Sequence, residues 1–303
     1  MQTIHGKRSV NGRESTQNQS VFTDRRLHHL RRTEYTIHCP ASPPLTIGLV
    51  TDLHERNPAE VLNLLRYAKP DVIAVAGDTL ERHKCGENLD KGDSSLASRL
   101  VCAGIQISER LADLRQQKKR DVKAEYGLQF LREAVKIAPV VMCLGNHELY
   151  LTDEDRAVIA EAGVRLLDNT SVEIHGVLFG GIPSKQVTGT FHETFLETFS
   201  SSPQYKVLLC HHPEYYPYLS RYSIDLILSG HCHGGQIRVF GRGIFAPGQG
   251  LFPKYHHGVY DGRLVVSAGC ANTASFPRWG NETEVVIVKL ENERPRLTLP
   301  ATG

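Results

Sequence analysis

Five short groups of side chains in this sequence could hold metal ions: Asp52-Leu53-His54, Gly77-Asp78, Gly145-Asn146-His147-Glu148, His211-His212-Pro213 and Gly230-His231-Cys232-His233. Their donors are carboxylates, imidazoles and one amide. Such a set suits manganese, iron or zinc, and fits calcium or magnesium less well. In extended backbone, positions i and i+2 turn to the same side, so Asp52 and His54 can reach one cation, and His231 and His233 repeat the spacing. Cys232 points away from its neighbours and reads as a packing residue. A carboxylate such as Asp78 can serve two cations, one through each oxygen. Asn146 adds a neutral carbonyl oxygen. A closed structural zinc site needs about four ligands, and this set is larger and richer in shared oxygen. Each group alone is commonplace, because a single histidine after a strand is usually a hydrogen-bonded core residue. The order of all five groups is what argues for a two-metal site.

The groups follow apolar runs that read as buried strands. That puts the donors on loops at the carboxyl edge of a sheet, where open α/β folds keep their sites. The runs are 45–50, 71–76, 139–144, 206–210 and 225–228. Residues 58–68 carry apolar positions at helical spacing with a proline at the start, and the strand–helix–strand order predicts a right-handed parallel unit. A further helix is expected over 126–137. After Asn169 the pattern turns strand-rich: 171–175 and 177–179 form an expected hairpin about Gly176, followed by strands near 237–239, 259–260, 264–267 and 285–288. The charged stretch 81–124, with an expected helix over 95–118, interrupts the pattern as a cap-like insertion beside the site. Residues 1–35 are polar and basic and read as a poorly ordered arm, ahead of one domain over 36–303.

The composition is that of an ordinary globular protein, 40% hydrophobic and 22% charged among 303 residues. A formal net charge of +2 argues against nucleic acid as a partner, whereas fifteen histidines favour metal binding. Seven cysteines without a CxxC pair indicate neither a disulfide framework nor a thiolate zinc knuckle, and point to a cytoplasmic setting. No apolar run is long enough for an integral membrane segment. The arginines and histidines of 25–32 read as a solvated tail, or as a peripheral contact with anionic membrane worth about 1 kcal/mol per basic residue.

In order and spacing, the five groups resemble the signature of the calcineurin-like metallophosphoesterases over about residues 45–290. Ser229-Gly230-His231-Cys232-His233-Gly234-Gly235-Gln236, residues 163–169 and Phe276-Pro277-Arg278 resemble its bacterial YkuE/YaeI-like branch. The resemblance implies an α/β fold (α+β in some schemes), a two-sheet β-sandwich flanked by helices in four αββα layers. It implies two cations (Mn, Fe or Zn): Asp52, His54, Asp78 and His233 on one, Asp78, Asn146, His211 and His231 on the other, with Asp78 bridging. The family ligand sits two residues before the proline, which selects His211 over His212. His147 would then assist the leaving group, oriented by Glu148, where this branch usually has aspartate. Arg82 is either a phosphate contact or a solvated loop arginine.

The implied reaction is hydrolysis of a phosphodiester, pyrophosphate or phosphomonoester by in-line attack of a metal-bridging hydroxide. The implied substrate is a phosphorylated small molecule or a lipid-linked one. Aromatic residues Tyr215, Tyr216 and Tyr218 form one wall of its cleft or pack beneath the loop. A nuclease and a non-catalytic scaffold of the same fold are the competing readings. Near-neutral charge weighs against the first, and the full set of ligand positions with His147 weighs against the second.

Overall fold

Alternation along the strands builds two sheets that share an apolar interface. In the computed structural model, which describes residues 30–39, 42–82, 125–184, 193–271 and 278–292, one sheet runs β1 (Leu30–His38), β16 (Thr283–Glu291), β2 (Leu45–Val50), β3 (Val72–Ala76), β4 (Val140–Cys143), β5 (Arg165–Leu166). The other runs β14 (Gly258–Tyr260), β15 (Leu264–Val266), β9 (Leu226–Ser229), β8 (Tyr205–Cys210), β7 (Val177–Ile182), β6 (Thr170–Ile174). Two short ribbons, β10 (Arg238–Val239) with β11 (Arg242–Gly243) and β12 (Phe245–Ala246) with β13 (Gly250–Leu251), lie between β9 and β14 in the chain.

Ile47, Leu49, Val72, Ala74, Val207, Leu209, Val286 and Val288 belong to one buried cluster between the sheets. Their strand neighbours Val50, Ile73, Val75, Val285 and Ile287 face the other way. They pack in a second cluster with α1 (Ala59–Ala68), α2 (Tyr126–Ala134) and α3 (Asp153–Glu161). A third cluster covers the outer face of the second sheet with α4 (Glu193–Ser200) and α5 (Tyr216–Leu219). The result is helix, sheet, sheet, helix, as expected, with apolar area buried in three layers. The expected hairpin turns through His175 and Gly176 at φ 52° and 78°, the pair of positive values that a type I′ turn requires.

Strands β2, β3, β4 and β5 are mutually parallel, as are β7, β8, β9 and β15. Every expected ligand follows one of these strands, so all lie at carboxyl ends.

The domain begins earlier than expected. Leu30–His38, largely assigned above to the basic arm, is an edge strand parallel to β16. Thr33, Tyr35 and Ile37 are buried while Glu34, Thr36 and His38 face outward. The leading arginines hide that alternation in the sequence. The rest of the expected arm, residues 83–124 of the expected insertion with its helix, Cys85, Cys102 and Phe276-Pro277 lie outside the described residues. The five described cysteines are free thiols. No helix among the described residues is long and apolar enough to cross a membrane.

Glu284 ties three parts of this framework together. Its carboxylate accepts from Thr33 Oγ1 on β1 and from Ala268 N after β15 (2.7 Å), and lies 3.4 Å from His257 Nε2. Burial disfavours its charge, but His257, Thr33 and the amide outweigh burial and hold it down at about 2, below its usual 4.5. A depressed carboxylate adds stability above pH 4.5, and that part is lost as pH falls from 4.5 through about 2. Glu284→Gln is expected to cost about 1–3 kcal/mol at neutral pH in urea denaturation, with the gap to wild type closing across that acid window. Parallel pH profiles for the two proteins would contradict this role.

Candidate metal centre

The loops that follow β2 and β3 are laced together before any donor is placed. Asp52 N donates to Gly77 O (3.1 Å) and His54 N to Asp78 O (3.0 Å). Across the sandwich, His231 N donates to both oxygens of Asp52 (3.2 Å each). Asp52, His54, Asp78, His231 and His233 all hold φ between 45° and 69°. That left-handed region is costly for residues with a side chain and concentrates at functional sites. Two glycines allow the loops to approach. A Cβ on Gly145 would overlap the Asp78 carboxylate, and one on Gly230 would stand 2.5 Å from Asp52 Oδ2.

The structure gathers six of the seven expected donors into two groups, each with its donor atoms within 4.8 Å of one another: Asp52, His54 and His233, and Asp78, His211 and His231. Asp78 belongs to the second and also approaches His54 of the first. Its Oδ2 is 2.9 Å from His211 Nε2, 3.9 Å from His54 Nε2 and 3.9 Å from His147 Nε2. His54 Nε2 and His233 Nε2 lie 3.8 and 3.6 Å from Asp52 Oδ1. All seven ligand candidates are buried.

The donor set fits cations. His54 Nε2 and Asn146 Oδ1 are buried and have no hydrogen-bond partner among the described residues, an arrangement that costs free energy unless a ligand satisfies it. His211 Nδ1 donates to Ala76 O (2.8 Å), which leaves the Nε2 lone pair facing Asp78. A ligating histidine uses its second nitrogen in this way to fix its tautomer. His212 is different: Ser184 Oγ (2.7 Å) and Glu214 Oε1 (2.8 Å) occupy both of its nitrogens.

Two expected roles change. Glu148 does not orient His147, because its two oxygens accept four backbone N–H groups, those of Asp78, Thr79, Leu80 and Gly145 (2.7–3.0 Å). It fixes the loop that carries Asp78 against the loop that carries Asn146. Glu81 meets the ring of His147 instead, with Oε2 2.9 Å from Nδ1, while its Oε1 lies 2.6 Å from His54 Nδ1. Nothing in the local sequence marks that double contact beyond an acid three residues after Asp78. Arg82 pairs with Asp155 (3.0 Å) and Glu55 (3.3 Å), which makes it more than a solvated loop arginine. Arg278, also unassigned, places Nη2 3.2 Å from His233 Nδ1. Tyr216 is buried in the outer core of the second sheet and Tyr215 stacks on His212, so this cluster packs beneath the loop.

Without cations the imidazoles carry the compensating charge. Burial works against a charged His211, but Asp78 and Asp52 outweigh it and push the ring up to about 10. Burial and His147 oppose charge on His54, yet Asp52 and Glu81 push it up to about 9. Asp78 is held well below the usual carboxylate range: burial opposes its ionisation, but His211, His147 and His54 prevail. His233 is driven down to about 3 by burial and by Arg278 and is already neutral.

The calcineurin-like phosphoesterase family model matches residues 45–235 of this chain. A Bacillus subtilis protein, YpbG, is 27% identical over 259 residues, 82% of each chain. An uncharacterized metallophosphoesterase of Aquifex aeolicus is 24% identical over 286 residues, 88% of this chain and 94% of its own. A second Bacillus subtilis protein, the metallophosphoesterase YkoQ, is 26% identical over 243 residues, 75% of this chain and 70% of its own.

Ligation needs neutral imidazoles, so cation binding must expel the protons of His54 and His211. Calorimetry at pH 7 in buffers of different ionisation enthalpy is expected to show release of about two protons per chain. Affinity is expected to rise with pH until the range of about 9 to 10 where these rings titrate. Proton-neutral binding with an affinity flat over that range would contradict the assignment.

Proposed function

The chain belongs to the calcineurin-like phosphoesterase family, and from that premise we propose that it hydrolyses phosphate esters at a centre of two cations sharing Asp78. The family's chemistry is metal-dependent phosphoester hydrolysis. Asp52, His54, Asp78 and His233 would hold one cation, and Asp78, Asn146, His211 and His231 the other. Bound there, the cations would supply Lewis-acid chemistry, acidifying water and drawing charge from the phosphoryl oxygens. The observation that carries this reading is the pair of adjoining three-donor groups, with the buried Asp78 carboxylate in one of them and 3.9 Å from His54 in the other.

His147 is the proton carrier. Burial opposes its charge, but Glu81 and Asp78 raise it to about 10, so the ring is protonated at neutral pH. Glu81 holds the proton on Nδ1. The proton on Nε2, on the side of Asp78, is the one delivered to the departing oxygen. After transfer the ring stays neutral with Nδ1–H still on Glu81, ready to be reprotonated from solvent. His147 keeps a fifth of its side chain exposed, more than any of the candidate ligands, which suits a group that meets substrate. The likeness to the YkuE/YaeI-like branch favours phosphodiesters over monoesters.

Turnover of bis(p-nitrophenyl) phosphate with added manganese tests this reading. His147→Ala is expected to lower kcat by about 10²- to 10⁴-fold with unchanged metal content. Glu81→Gln is expected to lower it by about 10- to 100-fold and to move the alkaline limb of the pH profile downward. Equal inactivity of wild type and His147→Ala across metals and pH would overturn the proposal.

A further inference from the structure

A cleft of about 1080 Å³ opens beside the Asp52–His54–His233 half of the centre. Leu53, between two of those donors, lines it, and so does Arg278, which reaches His233. Thr283, at the start of β16, lines it as well. Since β16 is antiparallel to β2 with Val286 opposite Leu49, Thr283 lies beyond the carboxyl end of β2. The cleft therefore continues the sheet edge on which the donors sit. Its volume is that of a site for a nucleotide-sized ligand.

Four arginines line it: Arg31, Arg56, Arg238 and Arg278. Two acids, Glu60 and Glu282, share the wall, and Glu282 stands 3.8 Å from Arg31 with most of its side chain exposed. The two arginines nearest the centre in sequence and contact bond only neutral acceptors. Arg238 donates to Gly234 O (2.8 Å) and Asn281 Oδ1 (2.5 Å), and Arg278 to Ala268 O (2.6 Å) and Ala271 O. Neither has a carboxylate within ion-pair distance among the described residues. The Nε groups of Arg31 and Arg278 are buried without a hydrogen-bond partner among those residues. A guanidinium stays charged at any working pH and presents a planar fork of N–H groups that matches phosphate. Bonded to carbonyls, and in Arg278 also to the His233 ring, these guanidiniums have no carboxylate in direct contact and keep donors that an anion in the cleft could meet.

We propose that this cleft binds a second phosphate of the substrate, so that the enzyme favours pyrophosphate-linked or doubly phosphorylated compounds over single-phosphate esters. The inference rests on the reading of the Asp78 centre as the place where the scissile phosphate is bound. The scissile group sits at that centre, and the neighbouring phosphate lies against Arg278 and Arg238. The carrier of that phosphate is either a soluble nucleotide-like molecule or a lipid headgroup, and both present the same chemistry to the arginines.

The test uses the full chain, stripped of metal, with inorganic pyrophosphate as the probe in titration calorimetry. Wild type is expected to bind it with strong salt dependence, and Arg238→Gln to weaken binding by about tenfold or more. Arg56→Gln changes an exposed side chain and guards against a folding artefact, and a smaller loss is expected there. In the manganese-loaded enzyme, Arg238→Gln is expected to lower the ratio of kcat/KM for a dinucleoside pyrophosphate to that for bis(p-nitrophenyl) phosphate. Sedimentation with phosphatidylcholine vesicles containing phosphatidic acid distinguishes the carriers: binding lost in both arginine variants supports the same site with lipid as carrier. Pyrophosphate binding that is equal in wild type and both variants overturns the proposal, and diester turnover would then leave the phosphoesterase reading intact. Arginine-dependent binding in a protein that turns over no ester supports the cleft and removes the phosphoesterase reading.

Discussion

One oxygen, Asp78 Oδ2, organises the centre. It faces His211 at 2.9 Å and the rings of His54 and His147 at 3.9 Å. A carboxylate this deeply buried is costly unless positive charge meets it. Nothing apolar could replace it without depriving the three imidazoles of His54, His147 and His211 of their shared counter-charge. Its own position is fixed from behind. Glu148 accepts from the backbone of residues 78, 79 and 80, and Asp78 Oδ1 accepts from His147 N (2.9 Å). The chain thus spends one buried acid on holding another in place.

The sandwich explains why the cage needs both sheets. β2, β3 and β4 deliver Asp52, His54, Asp78 and Asn146, while β8 and β9 deliver His211, His231 and His233. Each sheet alone would present an incomplete set on an open edge. The contact that joins them is itself part of the site, His231 N on Asp52. Positive φ at five of the seven candidate donors is the local cost, and the three apolar layers behind the loops supply the rigidity that sustains it.

Much of this was legible in the sequence, for physical reasons. Strands buried on both faces read as unbroken apolar runs, so β2, β3, β4, β8 and β9 stand out. The donors stand out because each sits one to five residues past such a run. β1 does not, because an edge strand carries its charged residues outward and its apolar residues only on one face. Residues 153–161 and 193–200 were also not read as helices; in the first, only Asp155 and Ile159 are buried, which leaves little apolar periodicity to read. The outer partners were the least legible. Glu81 meets His147 across 66 positions and Glu148 meets backbone amides across 70, and a backbone donor leaves no mark on residue type. Arg278 joins His233 across 45 positions, a separation that no local pattern reveals.

The most direct measurement is anomalous diffraction at the manganese edge from crystals grown with that ion. Two peaks are expected, one against Asp52, His54 and His233, the other against Asn146, His211 and His231, both in contact with the Asp78 carboxylate. A single peak, or a pair of peaks of which neither touches Asp78, would contradict the account.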